Sequence, residues 1–222
     1  MENTTLKFSQ RKIKKNYRSI TGHFPSIKND TSIAFESKLE KTHFLALEFD
    51  NEVISYQEQP QIEIFFNDKN QIYSADCYIK RVKNSSKKDS IVEVKYTNEI
   101  EKRKDYFEKR FESAKVSANK LNLDFEVYTE KNHSEIYLDN LDFLYRYKLY
   151  PIENKYENQI IELINKNSKV SAFKLAKLIS ENPIEYGFIS NCIWDLVCKE
   201  KLKTNLKLTR ISMNSLVELN YE

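Results

Sequence analysis

The sequence predicts an α/β domain followed by a small, mostly helical domain. Between residues 32 and 130 the hydrophobic pattern indicates one helix, then three consecutive strands, then a long helix and one more strand. A strand, a long helix and a further strand are typical of a crossover in a mixed sheet. After Pro151 three short helical patterns follow one another closely. We therefore expect domains at 31–150 and 151–222, preceded by a basic arm at 1–30.

Composition limits the classes of protein that this chain can belong to. It has 222 residues, of which 40% are apolar and 31% are charged, so it is long and apolar enough to bury a core. Its net charge of only +3 does not by itself indicate a nucleic-acid binder. Its two glycines, Gly22 and Gly187, exclude glycine-rich dinucleotide and phosphate-binding loops. The three cysteines show no C-x-x-C spacing, so neither a zinc site nor a disulfide framework is predicted.

Targeting signals are not recognisable in the sequence. The polar N-terminus has no signal-peptide core, and no apolar run approaches the roughly 20 residues that cross a bilayer. We expect a soluble, cytoplasmic protein with no membrane partner.

The first domain is expected to begin with a helix. Gly22 and Pro25 argue against a regular element over 21–26, so the arm is predicted to be extended. From Ser32 to about Asn51 the apolar residues follow one helical face, which would place Glu36 and Glu40 one turn apart on the same side. The elements predicted after it are strands at 53–66, 71–82 and 90–97, a helix at 99–122, a strand at 123–130 and a closing helix at 137–150.

The second domain has the outline of a winged helix. Its helices are predicted at 153–167, 171–182 and 188–202, and the weakly alternating tail at 203–219 would form a two-stranded wing. Phe188 and Trp194 lie on an apolar helical face and are expected in the core.

Charged residues inside strands indicate where chemistry takes place. Asp76 lies in the middle of one predicted strand, and Glu93 and Lys95 lie in the next. The period of two puts Glu93 and Lys95 on the same face, and covered charges need partners. Asp76 and the helix residue Glu40 are candidates for these partners.

Three carboxylates and a lysine suit phosphodiester hydrolysis. Carboxylates bind Mg²⁺, which activates water and stabilises the leaving oxygen, and a lysine orients the water or balances charge. The Val94 carbonyl is a further possible oxygen ligand. The alternative is that E-x-K is a solvated strand face and Glu40 a surface residue; the ordered combination favours a site.

This ordered set resembles the PD-(D/E)XK nuclease superfamily, whose core is a restriction-endonuclease-like α/β unit. One departure is Ala75, where the superfamily usually has proline before the aspartate.

A second resemblance is to the N-terminal domain of the TnsA-type transposon-end endonucleases. It rests on NYRSITGHFPS at 16–26, FESKLE at 35–40, FLALEFD at 44–50 and EQP at 58–60. The resemblance implies that Glu40, Asp76 and Glu93 hold one or two Mg²⁺ ions, with Mn²⁺ as a substitute, and that Lys95 assists the attacking water. Gln59 would support the site or contact DNA.

The same resemblance implies partners. Such a nuclease cuts the 5′ ends of a transposon, an integrase-fold (TnsB-like) transposase cuts the 3′ ends, and an AAA+ (TnsC-like) ATPase contacts the C-terminal domain. Two alternatives stay open: a stand-alone restriction- or resolvase-like nuclease with the same residues, and a non-catalytic DNA- or ATPase-binding adaptor.

Clusters of basic residues are candidates for contacts with DNA phosphates, and those in the arm and the tail are also candidates for contacts with a partner, an acidic one in the case of the tail. They lie in the arm, in the loop at 80–88 and in the tail at 199–210; the first two supply Lys12, Lys14, Lys15, Arg18, Lys80, Arg81 and Lys83. The alternative is that these charges only keep the surface soluble.

Overall fold

The computed structural model describes residues 6–8 and 20–221, and the chain divides into two compact units between His133 and Ser134. In the helices of the described ranges, no segment has the length and apolarity needed to span a membrane.

The first unit is built from strands and three helices. Its strands are β1 (Lys7–Phe8), β2 (Gly22–Ser26), β3 (Thr31–Phe35), β4 (Val53–Glu58), β5 (Pro60–Phe66), β6 (Lys69–Ser74), β7 (Cys77–Arg81), β8 (Ser90–Val94) and β9 (Asp124–Tyr128). Its helices are α1 (Lys38–Glu48), α2 (Thr97–Lys102) and α3 (Lys104–Lys120).

A four-stranded mixed sheet forms the centre of this unit, in the order β4-β7-β8-β9. All neighbours are antiparallel except β8 and β9, which are parallel and joined through α2 and α3. The inward face of α3 buries Ala114 and Ala118 completely, and Ile91 of β8 belongs to the same core cluster. The α/β class, with a mixed sheet and a crossover helix, is therefore confirmed.

A second sheet, β1-β5-β6, branches from the first. The sequence predicts single strands at 53–66 and 71–82, but each of these segments contributes one strand to each sheet. The breaks lie at Gln59, which has a φ of 53°, and at Ala75–Asp76. The two breaks face each other, because the Gln59 amide donates to the Asp76 carbonyl at 3.1 Å. Asp76 is therefore not in mid-strand. It lies where the chain passes from one sheet to the other, and we call this place, formed by Gln59 and Ala75–Asp76, the crossing point.

An antiparallel hairpin of β2 and β3 occupies residues expected to be irregular or helical. Phe24, Ile33 and Phe35 are buried in strand alternation, and this burial outweighs the helical spacing seen from Ser32 onward. Pro25 is tolerated because β2 has only one partner strand, β3.

Helix α1 consequently begins at Lys38 rather than near Ser32. Ser37 is its N-cap, and its oxygen accepts the Glu40 amide hydrogen. Glu36 precedes the helix, so the predicted one-turn spacing of Glu36 and Glu40 on a common helix is wrong.

The second unit contains four helices and a small sheet. Its elements are α4 (Glu135–Leu149), α5 (Glu157–Asn167), β10 (Lys169–Ser171), α6 (Ala172–Ile179), α7 (Pro183–Cys198), β11 (Leu202–Lys203) and β12 (Leu216–Leu219). The strands form an antiparallel sheet in the order β10-β12-β11, one strand more than the predicted wing.

Packing within the second unit explains where the chain divides. Helix α4, expected to close the first domain, packs on α7, and so the division falls before Ser134 rather than near residue 150. Ile160, Leu175 and Ile193 are fully buried, and Trp194 is buried as expected. Phe188 is not in the core: it is 58% exposed, because the first two turns of α7 are mostly exposed.

Candidate active site

Asp76 is held in place by its backbone and its side chain. Its amide donates to the Val92 carbonyl at 3.1 Å, and its carboxylate Oδ2 accepts the Val94 amide hydrogen at 2.7 Å. The crossing point thus fixes a half-buried carboxylate against the end of β8. Because the N–H and C=O of a strand residue point to the same edge, the Val94 carbonyl is directed to the same side as Asp76.

Glu93 and Lys95 form an ion pair at the end of β8. The Lys95 ammonium lies 3.3 Å from Glu93 Oε1, and the Lys95 amide donates to the Tyr128 carbonyl of β9. The other carboxylate oxygen, Glu93 Oε2, accepts a hydrogen bond from the Tyr73 hydroxyl at 2.7 Å. Glu93 is 8% exposed, and both of its oxygens have a partner within the protein.

Glu40 is held at the N-terminus of α1. The Ser37 hydroxyl donates to Glu40 Oε1 at 2.8 Å, while the Glu40 amide donates back to the Ser37 oxygen at 3.1 Å. Glu40 Oε2 accepts the Glu36 amide hydrogen at 2.9 Å. This reciprocal arrangement is a variant of the capping box, in which the glutamate accepts the amide hydrogen of Glu36, the residue before the N-cap, and it restricts the carboxylate to one orientation.

These charges share one electrostatic environment. Burial raises the pKa of Asp76 well above its usual value, and the neighbouring Glu93 and Glu40 raise it further. Burial also raises the pKa of Glu40. Burial alone would lower the pKa of Lys95, but Glu93 and Asp76 outweigh it, so that pKa is raised. The site therefore concentrates negative charge that one lysine does not neutralise.

The donor chemistry fits a hydrated Mg²⁺ ion. Within residues 6–8 and 20–221, no three His, Cys, Asp or Glu side chains form a ready metal cage. Mg²⁺ does not need one, because it keeps several waters and binds through one or two carboxylates together with substrate phosphates. Asp76 and Glu93, with the Val94 carbonyl on the same side of β8 as Asp76, supply oxygen donors of this kind.

Gln59 borders the site through Asp76. Its amide holds the Asp76 carbonyl, and its side-chain Nε2 lies 3.4 Å from Glu36 Oε1. Glu36 also raises the pKa of Glu40, which makes it a further carboxylate near the predicted set.

Two residues at the site were not predicted. Ser37 had a readable signal, since serine three residues before Glu40 matches the capping-box pattern. Tyr73 had none, because an aromatic residue in a strand is typical of a core and its pairing with Glu93 spans two sheets.

The basic residues proposed for DNA contact have different environments. Arg81 does not fit that role: its side chain is 4% exposed and lies between Asp50 and Glu126 at 3.5 and 3.3 Å. Burial and these carboxylates make it a structural residue. Lys80 and Lys83 are exposed. The arm residues Lys12, Lys14, Lys15 and Arg18 lie outside the described residues.

Comparison with known families agrees with this geometry. Residues 50–130, about a third of the chain, match the family described as TnsA-like endonuclease N terminal. This range contains Asp76, Glu93 and Lys95, and Glu40 lies before it. No curated protein matches the chain with significant similarity. Residues 50–130 are therefore similar to a TnsA-like endonuclease N-terminal domain, which supports a TnsA-type endonuclease of the PD-(D/E)XK superfamily.

Proposed function

We propose that this protein is the Mg²⁺-dependent DNA endonuclease subunit of a heteromeric cut-and-paste transposase, and that it hydrolyses phosphodiester bonds at the 5′ ends of the transposon. The observation that carries the proposal is the convergence of Asp76, Glu93 and Lys95 at the crossing point, inside the range that matches the endonuclease family.

Glu40, Asp76, Glu93 and the Val94 carbonyl would hold the ion, and Mn²⁺ would substitute for it. Bound Mg²⁺ supplies Lewis-acid stabilisation of phosphoryl charge and a more acidic water. The protein contributes fixed donors: Asp76 is fastened to the Val94 amide and Glu40 to Ser37, so the carboxylates need little rearrangement when a cation arrives.

Lys95 acts as a cation rather than as a base. Its raised pKa keeps the ammonium protonated at neutral pH, and it is 26% exposed beside the buried Glu93. A protonated lysine in this position donates hydrogen bonds to a water molecule or to the phosphate oxygens, which stabilises the charge that develops during hydrolysis. Exposed Lys80 and Lys83, and the arm residues Lys12, Lys14, Lys15 and Arg18, would position the DNA backbone.

A comparison of two aspartates tests the site. Asp76→Asn is expected to abolish Mn²⁺ binding, measured by calorimetry with and without duplex DNA, and to abolish Mg²⁺-dependent plasmid cleavage. Asp89→Asn is the matched control, because the Asp89 carboxylate also accepts a backbone amide hydrogen, from Arg81 at 2.8 Å. Unchanged Mn²⁺ binding by Asp76→Asn would show that the ion lies elsewhere.

Cleavage and binding assays with the same purified chain distinguish the alternative functions. Cleavage by the chain alone would favour a stand-alone nuclease, and cleavage only with a transposase and an ATPase would favour the heteromeric complex. DNA or ATPase binding without metal dependence or cleavage would favour an adaptor.

We also infer that the second unit is a winged-helix-like module that docks the AAA+ ATPase. The order α5-β10-α6-α7-β11-β12, with the last strand in the middle of the sheet, supports the winged-helix assignment. Helix α7 contains no lysine or arginine, whereas DNA binding depends on such residues. It exposes Ile184 (73%) and Phe188 (58%), which suits a protein partner.

Charge insertion on α7 tests this docking role. Ile184→Glu with Phe188→Glu is expected to weaken ATPase binding, measured by calorimetry with an ATPase from the same transposon. Leu208→Glu, at a similarly exposed apolar position between β11 and β12, is expected to have no effect. Equal binding by both variants would contradict the assignment.

A further inference from the structure

We propose that Tyr73 is a positioning residue that orients the Glu93 carboxylate for the site, and that Arg110 of the crossover helix supports Tyr73. This inference rests on the proposed function, because it concerns how a metal-binding carboxylate is held.

Tyr73 reaches Glu93 from the other sheet. It lies on β6, is 1% exposed, and donates its hydroxyl hydrogen to Glu93 Oε2 at 2.7 Å. Glu93 Oε1 faces the Lys95 ammonium at 3.3 Å. The terminal torsion of a glutamate is broad, so its carboxylate plane is defined only by such partners. Tyr73 holds one oxygen, and this directs the other toward Lys95.

Arg110 connects this pair to α3. Its guanidinium lies 4.9 Å from the centre of the Tyr73 ring, within the range of cation–π attraction, and it donates to the Tyr106 hydroxyl at 2.8 Å. It also lies 5.9 Å from the Phe66 ring. The cation thus lies among rings from β5, β6 and α3, and it packs against the Tyr73 ring.

The hydroxyl, rather than the ring, is the part with a role at the site. A phenylalanine at position 73 would keep the edge-on packing on Phe125, whose ring centre lies 6.1 Å away, and the face that Arg110 covers. It would remove only the hydrogen bond to a carboxylate that is 8% exposed. The loss of an outer partner that orients a metal ligand in this way typically weakens metal affinity by about 10- to 100-fold.

The experiment compares two buried tyrosine–glutamate pairs in the same unit. Tyr73→Phe is the test, and Tyr56→Phe is the control, because Tyr56 is 2% exposed and donates to buried Glu48 at 2.7 Å. We expect both variants to lower the Tm by similar amounts. Only Tyr73→Phe is expected to weaken Mn²⁺ binding, by about 10- to 100-fold in calorimetry with duplex DNA present.

Two results would overturn the inference, and they are distinguishable. Mn²⁺ affinity equal to wild type in a folded Tyr73→Phe would overturn the positioning role alone. A wild-type chain that binds no Mn²⁺, with or without DNA, would overturn the proposed function together with the inference. If Tyr73→Phe does not fold, Arg110→Met replaces it: weakened Mn²⁺ binding is expected, and unchanged binding overturns the role.

Discussion

At the residue scale, Asp76 is a carboxylate whose environment opposes its ionisation. Burial, Glu93 and Glu40 raise its pKa above the ordinary value of 3.8. The folded protein therefore binds the Asp76 proton more tightly than the unfolded chain does. By linkage, this stabilisation is fully present below pH 3.8 and is lost as the pH rises through the folded-state pKa.

We predict that Asp76→Asn raises the Tm of the metal-free protein at pH 7 while it removes metal binding. The amide keeps an acceptor for the Val94 N–H and carries no charge beside Glu93. In thermal melts with a chelator, the gain should disappear near pH 3.8, and each kcal/mol corresponds to about 4 °C in a unit of this size. A lower Tm for Asp76→Asn at pH 7 would contradict this account of the site.

Lys95 is predicted to act in cleavage and not in metal binding. Lys95→Met removes a positive charge next to Glu93, so Mn²⁺ affinity should be retained or increased. Cleavage should fall by about 10²- to 10³-fold, as when one stabilising donor is lost. Calorimetry and single-turnover cleavage measure the two effects, with exposed Lys69→Met as control. Loss of Mn²⁺ binding would instead mean that Lys95 organises the carboxylates.

At the element scale, the N-terminus of α1 combines a stabilising cap with a site residue. Ser37 accepts the Glu40 amide hydrogen and donates to the Glu40 carboxylate. The local pattern of serine and glutamate three residues apart therefore defines both where the helix begins and where the carboxylate points.

We predict that Ser37→Ala destabilises the protein by about 1 kcal/mol, the usual loss for an N-cap, and also weakens Mn²⁺ binding. Ser171→Ala is the matched control, because Ser171 caps α6 by accepting the Lys174 amide hydrogen. Denaturant unfolding should show similar losses for both. If the two variants bind Mn²⁺ equally well, the cap does not orient Glu40 for the metal.

The crossing point divides each long strand-like segment between two sheets. Gln59 takes a left-handed conformation, and Asp76 lies between two strands, so each long strand-like segment serves two sheets. The alternation of apolar residues continues across both breaks. Periodicity alone therefore predicts one strand where the structure has β4 and β5, and one strand where it has β6 and β7.

At the scale of the whole molecule, each unit has its own core. The second unit buries Ile160, Leu175 and Ile193, and it contains the only tryptophan of the chain, Trp194, which is 4% exposed. Units with separate cores are able to fold independently.

We predict that a fragment covering 134–222 folds alone. Its tryptophan fluorescence should show a cooperative thermal transition close to that of the full chain, because Trp194 reports on this core. Asp76→Asn and Ser37→Ala, in the first unit, should leave the fluorescence transition unchanged while circular dichroism detects their effects. A fragment without a cooperative transition would show that the second unit depends on the first.

The sequence by itself determined the mixed α/β class and the crossover helix between the last two strands of the sheet, and it predicted that Asp76, Glu93 and Lys95 belong to one site. The fold class follows from local periodicity, and the site prediction follows from charged residues in apolar segments, where a covered charge needs a partner. Only the tertiary structure decided the β2–β3 hairpin, the break at Asp76, the burial of Arg81 and the membership of α4 in the second unit. Each of these depends on pairing or packing between residues distant in the chain, as Tyr73 and Glu93 are, and such contacts leave no periodic pattern in the sequence.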